Sequence, residues 1–167
     1  MVSGNLNGIA GNQNTVSGKQ NFVEGSLNGI WGNSNTLKGD MNQAFGRGNG
    51  IIGQTNLIGG NFNGIGGNLN AVVGSFNNAF GNQNGIAGNA NKLLGSLNTV
   101  WGSANLVDGN KNRIDGSLNE VLGNKNIING NKNGLIGNYN LIDGNNNLVQ
   151  GSGNMIIGGG NFVRSSR

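Results

Sequence analysis

The chain has no cysteine, no proline and no histidine, and only 10% of its residues are charged and 5% aromatic. Without cysteine there is no disulfide framework and no thiolate metal site, and the redox compartment stays open. Without histidine as well, the usual general bases, thiol nucleophiles and most transition-metal ligands are gone. Apolar runs are only a few residues long, so no helix spans a membrane. The six carboxylates, Glu24, Asp40, Asp108, Asp115, Glu120 and Asp143, are scattered. The net charge of +4 is small and spread out, which is only weak evidence for an anionic partner. Aromatics do not alternate with basic residues as single-strand binders require, so no nucleic acid is expected as a partner. The sequence therefore points to no enzyme, no cofactor and no metal.

What is there is glycine, 35 of 167 residues, and asparagine. Such bias signals disorder unless the apolar residues, 34% of the chain, recur at fixed spacing. They do. From Asn7 the chain divides into 23 uninterrupted heptads of the form N-x-[V/I/L]-x-G-x-x. Asn holds place 1 in every heptad, and Gly holds place 5 in all but the last, where Ser165 stands. Place 3 is Ile, Val or Leu except at Ala44 and Ala79. Fixed self-similarity of this kind predicts a repeat architecture.

A coiled coil needs two apolar seams per heptad, and only one place is invariably apolar. One Gly and one Asn per heptad would also cost a helix roughly 1–1.5 kcal/mol. Strand alternation instead sends places 1, 3 and 5 inward and places 2 and 4 outward, with places 6 and 7 turning the corner. Asn side chains at equal heights in successive coils then stack as a hydrogen-bonded ladder. The expected fold is all-β: a parallel β-solenoid, or β-roll, forming one domain over residues 1–167. Two heptads per coil give 14 residues and two flat parallel sheets; three would give a triangular prism of 21. One medium apolar residue per strand fills the two-sheet roll better, giving about 11.5 coils and roughly 55 Å of stacked strands. A longer period of 35 residues pairs "NQAFGRGNGIIG" (42–53) with "NNAFGNQNGIAG" (77–88), and "SLNGIWG" (26–32) recurs at twice that interval as "SLNTVWG" (96–102).

The repeat x-x-N-x-V-x-G, as in "GNQNTVSGKQNFVEG" at 11–25, resembles that of ryegrass-type antifreeze and ice-recrystallisation-inhibition β-rolls, and the likeness covers essentially the whole chain. The resemblance implies a left-handed roll with internal Asn ladders and one flat face that binds ice through short side chains at places 2 and 4. The chain departs from that pattern where it matters: Thr occupies place 2 only at Thr15, Thr36 and Thr99. A looser likeness is to the heads of trimeric bacterial adhesins, without their Ala/Ser-rich signature or a stalk.

Alternate heptads define two faces. One carries Thr15/Ser17, Gly29/Trp31, Gln43/Phe45, Leu57/Gly59, Ala71/Val73, Gly85/Ala87 and Thr99/Trp101, seven successive rungs without a charge. The other carries Glu24, Lys38, Lys92, Asp108, Glu120 and Arg164. The uncharged face is the candidate for ice or a partner, and Trp31 and Trp101 are expected on its surface rather than in the core. Phe45 and Phe80, each following a small core alanine, either cover thin spots or flank small voids.

Other motifs carry less. "DGNKNRIDG" (108–116) has Asp108, Asn110 and Asn112 at alternate places but lacks the Gly and distal Glu of a calcium loop. "GGG" at 158–160 lacks the strand–helix context of a phosphate loop. Lys111, Lys125 and Lys132 sit at corner place 7 as solvated charges. Two functions follow: an ice-binding protein acting through the uncharged face, or a structural β-roll that self-associates through apolar outward residues or uncapped ends. The repeat is in register from Val2 with no secretory leader ahead of it, so the chain is either intracellular or a mature extracellular form, the second fitting an ice binder.

Overall fold

The computed structural model describes Met1–Ser165 and contains strands, bends and no helix. Short strands recur every seven residues, from β1 (Val2–Ser3), β2 (Gly8–Ala10) and β3 (Thr15–Ser17) to β24 (Phe162–Arg164). Odd-numbered strands form one twelve-stranded parallel sheet and even-numbered strands the other. Each residue pairs with the one 14 positions on: Thr15 with Gly29, Val16 with Ile30, Ser17 with Trp31. The coil is therefore two heptads, and the fold is a two-sheet β-solenoid of about twelve turns.

The core is a single column fed alternately by the two sheets. Its buried apolar residues all sit at place 3, from Val16 and Val23 through Val149 and Ile156. Burying each side chain contributes on the order of 2 kcal/mol, and no coil has more than two, so stability accrues only by stacking. Ala44 and Ala79 are fully buried. The rings that follow them lean on neighbouring rungs: Phe45 stacks on Trp31, and Phe80 lies over the position of Gly66.

Two columns of asparagine flank the core. In the middle of one, Asn49 donates its backbone N–H and one Nδ2 hydrogen to Asn35 Oδ1 at 2.9 and 3.1 Å. The remaining Nδ2 hydrogen goes to the carbonyl of Gly60 at 2.9 Å. Repetition satisfies the column, and no buried side-chain nitrogen or oxygen among the described residues lacks a partner. That completeness makes a polar interior affordable, because an unpaired buried amide carries a large desolvation penalty.

Glycine at place 5 departs from simple alternation. Most strands are three residues long, spanning places 2 to 4, so this glycine begins the corner instead of facing the core. At Gly102, φ is +125°, and a Cβ there would collide with the carbonyl of Gly116 one coil on. Coils 14 residues apart touch backbone to backbone at this point, which only glycine permits. The other demanding place is 7: twenty non-glycine residues hold it in the left-handed region, with φ between 56° and 63°.

A second polar ladder runs along the outside of the corners at place 6, in the opposite sense. Ser96 N–H donates upward to Asn110 Oδ1 at 2.7 Å, Asn110 N–H to Asn124 Oδ1 at 2.8 Å, and Asn124 N–H to Asn138 Oδ1 at 2.8 Å. The Asn-to-Asn bonds of the inner ladder run the other way, from each coil to the one before it, while the second Nδ2 hydrogen reaches a glycine carbonyl of the coil after.

Candidate functional site

The uncharged face expected from the sequence is the outer surface of the odd sheet. It comprises β3, β5 (Gly29–Asn33), β7 (Gln43–Arg47), β9 (Leu57–Gly59), β11 (Ala71–Val73), β13 (Gly85–Ala87) and β15 (Thr99–Trp101), paired in that order. Register puts places 2 and 4 of every rung in two straight columns about 4.8 Å apart along the axis. Ser17, Gln43, Leu57, Ala71 and Val73 are exposed, whereas Thr15, Gly59, Gly85, Ala87 and Thr99 are half-buried among taller neighbours. Gly29 is buried, because the indole of Trp31 folds over it; a Cβ there would lie 2.7 Å from Trp31 Cζ3.

Trp31 and Trp101 are surface residues, 42% and 43% exposed. Trp31 stacks on Phe45 with ring centroids 4.7 Å apart and planes within 5°, matching the coil spacing. The two rings form a ridge across β5 and β7. Trp101 closes the far end of the uncharged run, and the Arg113 guanidinium from β17 (Arg113–Asp115) lies over its ring at 5.1 Å. Between these aromatic borders, β9, β11 and β13 present only Leu57, Gly59, Ala71, Val73, Gly85 and Ala87, a low strip with no polar head group. From β17 onward the same sheet carries Arg113, Asp115 and Asp143.

The even sheet differs in kind. Lys38 pairs with Glu24 at 3.1 Å and lies 5.9 Å from the ring centroid of Phe22. Lys92, Asp108, Glu120 and Arg164 project from the same surface. Its longest charge-free stretch covers three rungs, β8 (Gly50–Ile52), β10 (Gly64–Gly66) and β12 (Asn78–Phe80). Glycines at 50 and 64 leave a shallow apolar depression there, of about 250 Å³, between Lys38 and Phe80.

On the corners, Phe62 stacks on Phe76 with centroids 5.3 Å apart. Lys125 Nζ donates to the Tyr139 hydroxyl at 2.6 Å and lies 4.6 Å from the ring centroid. That hydrogen bond, helped by the ammonium charge, lowers the Tyr139 pKa from its ordinary value. Lys111 lies one coil before Lys125 on the same corner, as expected, and Lys132 on the other. Among the described residues no three His, Cys, Asp or Glu side chains converge, and no helix is long and apolar enough to cross a membrane.

The outer ladder is the feature the sequence reading misses. Its signal was present: from Asn61 to Ser152, place 6 is Asn or Ser without exception. Both residues are short and carry an oxygen that accepts the N–H of the coil below.

Comparison with curated proteins finds no match. The family model described as "Grass antifreeze beta roll" matches residues 17–102 and again, overlapping, 79–166. A family of antifreeze proteins is not a family of enzymes, which agrees with the scattered carboxylates and the missing histidine. The repeat, the two-sheet roll with its asparagine ladders and this match lead to one assignment: the chain belongs to the grass antifreeze β-roll family.

Proposed function

We propose that this chain adsorbs to ice through the odd-sheet face from Thr15 to Trp101 and so inhibits ice recrystallisation. The observation that carries the proposal is the run of seven rungs on one sheet with no charge at outward places 2 and 4 (Arg47 of β7 sits at the corner), against at most three on the other. A charged head group holds its hydration shell and keeps ice-like water away; a rigid surface of small uncharged groups does not. The asparagine ladders and in-register pairing supply the rigidity, holding each rung at one height. Within the face, the low strip of β9, β11 and β13 is the centre of contact, and Trp31, Phe45 and Trp101 border it. An extracellular location belongs to the same proposal, and cell fractionation tests it.

The test is ice recrystallisation in the presence of variants. Ala87→Lys places a charge in the strip and abolishes inhibition, whereas Ile52→Lys places one on the even sheet and leaves it intact. Trp101→Thr lowers the border and strengthens inhibition. The reverse pattern for the two lysine variants would move the contact to the even sheet, and a wild-type chain without effect on ice would end the proposal.

The exposed Trp31–Phe45 ridge also favours a second reading, association between copies. Seven rungs of three-residue strands offer about 340 Å², below the ~800 Å² per partner of a stable interface. Association by this face is therefore weak, and sedimentation over a wide concentration range measures it. A dimer persisting at low concentration would favour the structural reading over ice.

A further inference from the structure

Asn-Gly is the dipeptide in which an asparagine side chain most readily loses its amide, because glycine leaves the attacking backbone nitrogen unhindered. The chain contains seven: Asn7-Gly8, Asn28-Gly29, Asn49-Gly50, Asn63-Gly64, Asn84-Gly85, Asn129-Gly130 and Asn133-Gly134. Six of these asparagines hold place 1 and belong to the inner ladders. Asn63 shows what that means: its Oδ1 accepts from Asn77 N–H and Nδ2 at 2.9 and 3.2 Å, and its own amide donates to Gly74 and Asn49. Asn84 and Asn133 are held by the same four bonds.

Asn129 is different. It stands at place 4 of β19 (Ile127–Asn129), points outward and is exposed. Its single side-chain hydrogen bond among the described residues runs from Nδ2 to Asp143 Oδ1 at 3.1 Å. Its backbone carbonyl accepts from Gly144 N–H at 2.9 Å, but its side-chain Oδ1 accepts no bond among the described residues, unlike the Oδ1 of every ladder asparagine in these pairs. The nucleophile, the backbone nitrogen of Gly130, is held only by a 2.8 Å bond to the Asp115 carbonyl at the end of the strand.

We infer that Asn129 is the site of spontaneous deamidation in the folded protein, and that the ladders silence the other six Asn-Gly pairs. When the Gly130 N–H leaves Asp115, its nitrogen attacks Asn129 Cγ. A new N–Cγ bond forms, the Cγ–Nδ2 bond breaks, and ammonia departs with the proton that Gly130 gives up. Water then opens the cyclic imide at one of its two carbonyls, leaving either aspartate or isoaspartate at 129. Register places residue 129 between Asp115 and Asp143 in one column. Aspartate there makes three carboxylates about 4.8 Å apart, and like charges on neighbouring strands repel. Isoaspartate adds a methylene to the main chain and breaks the pairing of β19. The change falls beyond Trp101, outside the uncharged rungs, and does not rest on ice binding.

Peptide mapping by mass spectrometry tests this on the full chain held at neutral pH. In the folded protein Asn129 converts faster than every ladder Asn-Gly by about tenfold or more, since each ladder site must open additional hydrogen bonds. In urea the seven pairs converge to comparable rates. Asn129→Gln removes the signal without raising the other six, because glutamine would need a larger ring. The inference is overturned if any ladder asparagine converts as fast as Asn129 in the folded chain. It is equally overturned if none of the seven reacts in the folded chain while all react in urea.

Discussion

Asn84→Ala tests the load carried by the inner ladder. In the wild-type chain Asn84 is 1% exposed; its Oδ1 accepts from Asn98 N–H and Nδ2 at 3.1 and 3.2 Å, and its Nδ2 donates to Gly95 at 2.8 Å. Alanine leaves the Asn98 N–H and the Gly95 carbonyl without partners in the interior, while Asn98 Nδ2 keeps its bond to Gly109. At about 1–3 kcal/mol for each stranded group, the loss is roughly 2–6 kcal/mol. The control is Asn89→Ala. Asn89 Oδ1 also accepts a backbone N–H, from Ser75 at 2.8 Å, but on the exposed outer ladder. Water replaces that partner, and the cost stays within about 0.5 kcal/mol. Urea unfolding of both variants reads the difference directly. Combining Asn84→Ala with Asn98→Ala should cost about 1 kcal/mol less than the sum, because their shared bond is counted twice. Equal costs for Asn84→Ala and Asn89→Ala would refute the argument that burial, and not bond count, gives the ladder its weight.

The remaining expectations concern glycines, corners and one phenol. Gly102→Ala forces a Cβ against the Gly116 carbonyl at positive φ, costing about 3 kcal/mol or more by thermal unfolding. Gly85→Ala has open space above an ordinary strand and gains up to about 0.5 kcal/mol by relieving glycine's entropy cost. Thr55 is a β-branched residue held at φ 57°; Thr55→Asn stabilises by about 0.5 kcal/mol, read as a rise in Tm. The exposed Tyr139 ionises at a pH below that of free tyrosine, as ultraviolet titration will show, and Lys125→Met moves it back toward the ordinary value. Between its folded pKa and the ordinary value the unfolded chain holds more protons. Stability therefore rises with pH across that window and loses this contribution as pH falls through the folded pKa.

The fold was legible because one rule repeats 23 times. A single Asn-x-Val strand is ambiguous, but invariant Asn, apolar and Gly places leave only an arrangement in which equal heights stack. The two-heptad coil was only favoured by volume, since one Ile or Val per strand fills two sheets more easily than a triangular prism, and it is the 14-residue register that decides it. The direction of Trp101 followed from place 4 alone. What escaped were properties of contact between coils. Gly29 reads as an outward position, yet the Trp31 ring buries it, and no strand pattern encodes where an indole leans. Place-5 glycine reads as inward by alternation, but the strand ends before it and the corner claims it. The outer ladder was missed because Asn and Ser at corners look like ordinary turn residues, until the coil above is in place to accept from the one below.

The opposed sense of the two ladders has a consequence for length. An α-helix aligns its amide dipoles and accumulates a charge at each end. In this roll the inner ladder's N–H groups point toward the first coil and the outer ladder's toward the last, while the parallel sheets add little net dipole of their own. Each added coil therefore brings N–H dipoles of both senses, and growth by blocks of five heptads builds up less charge at the ends than an aligned stack of the same length would.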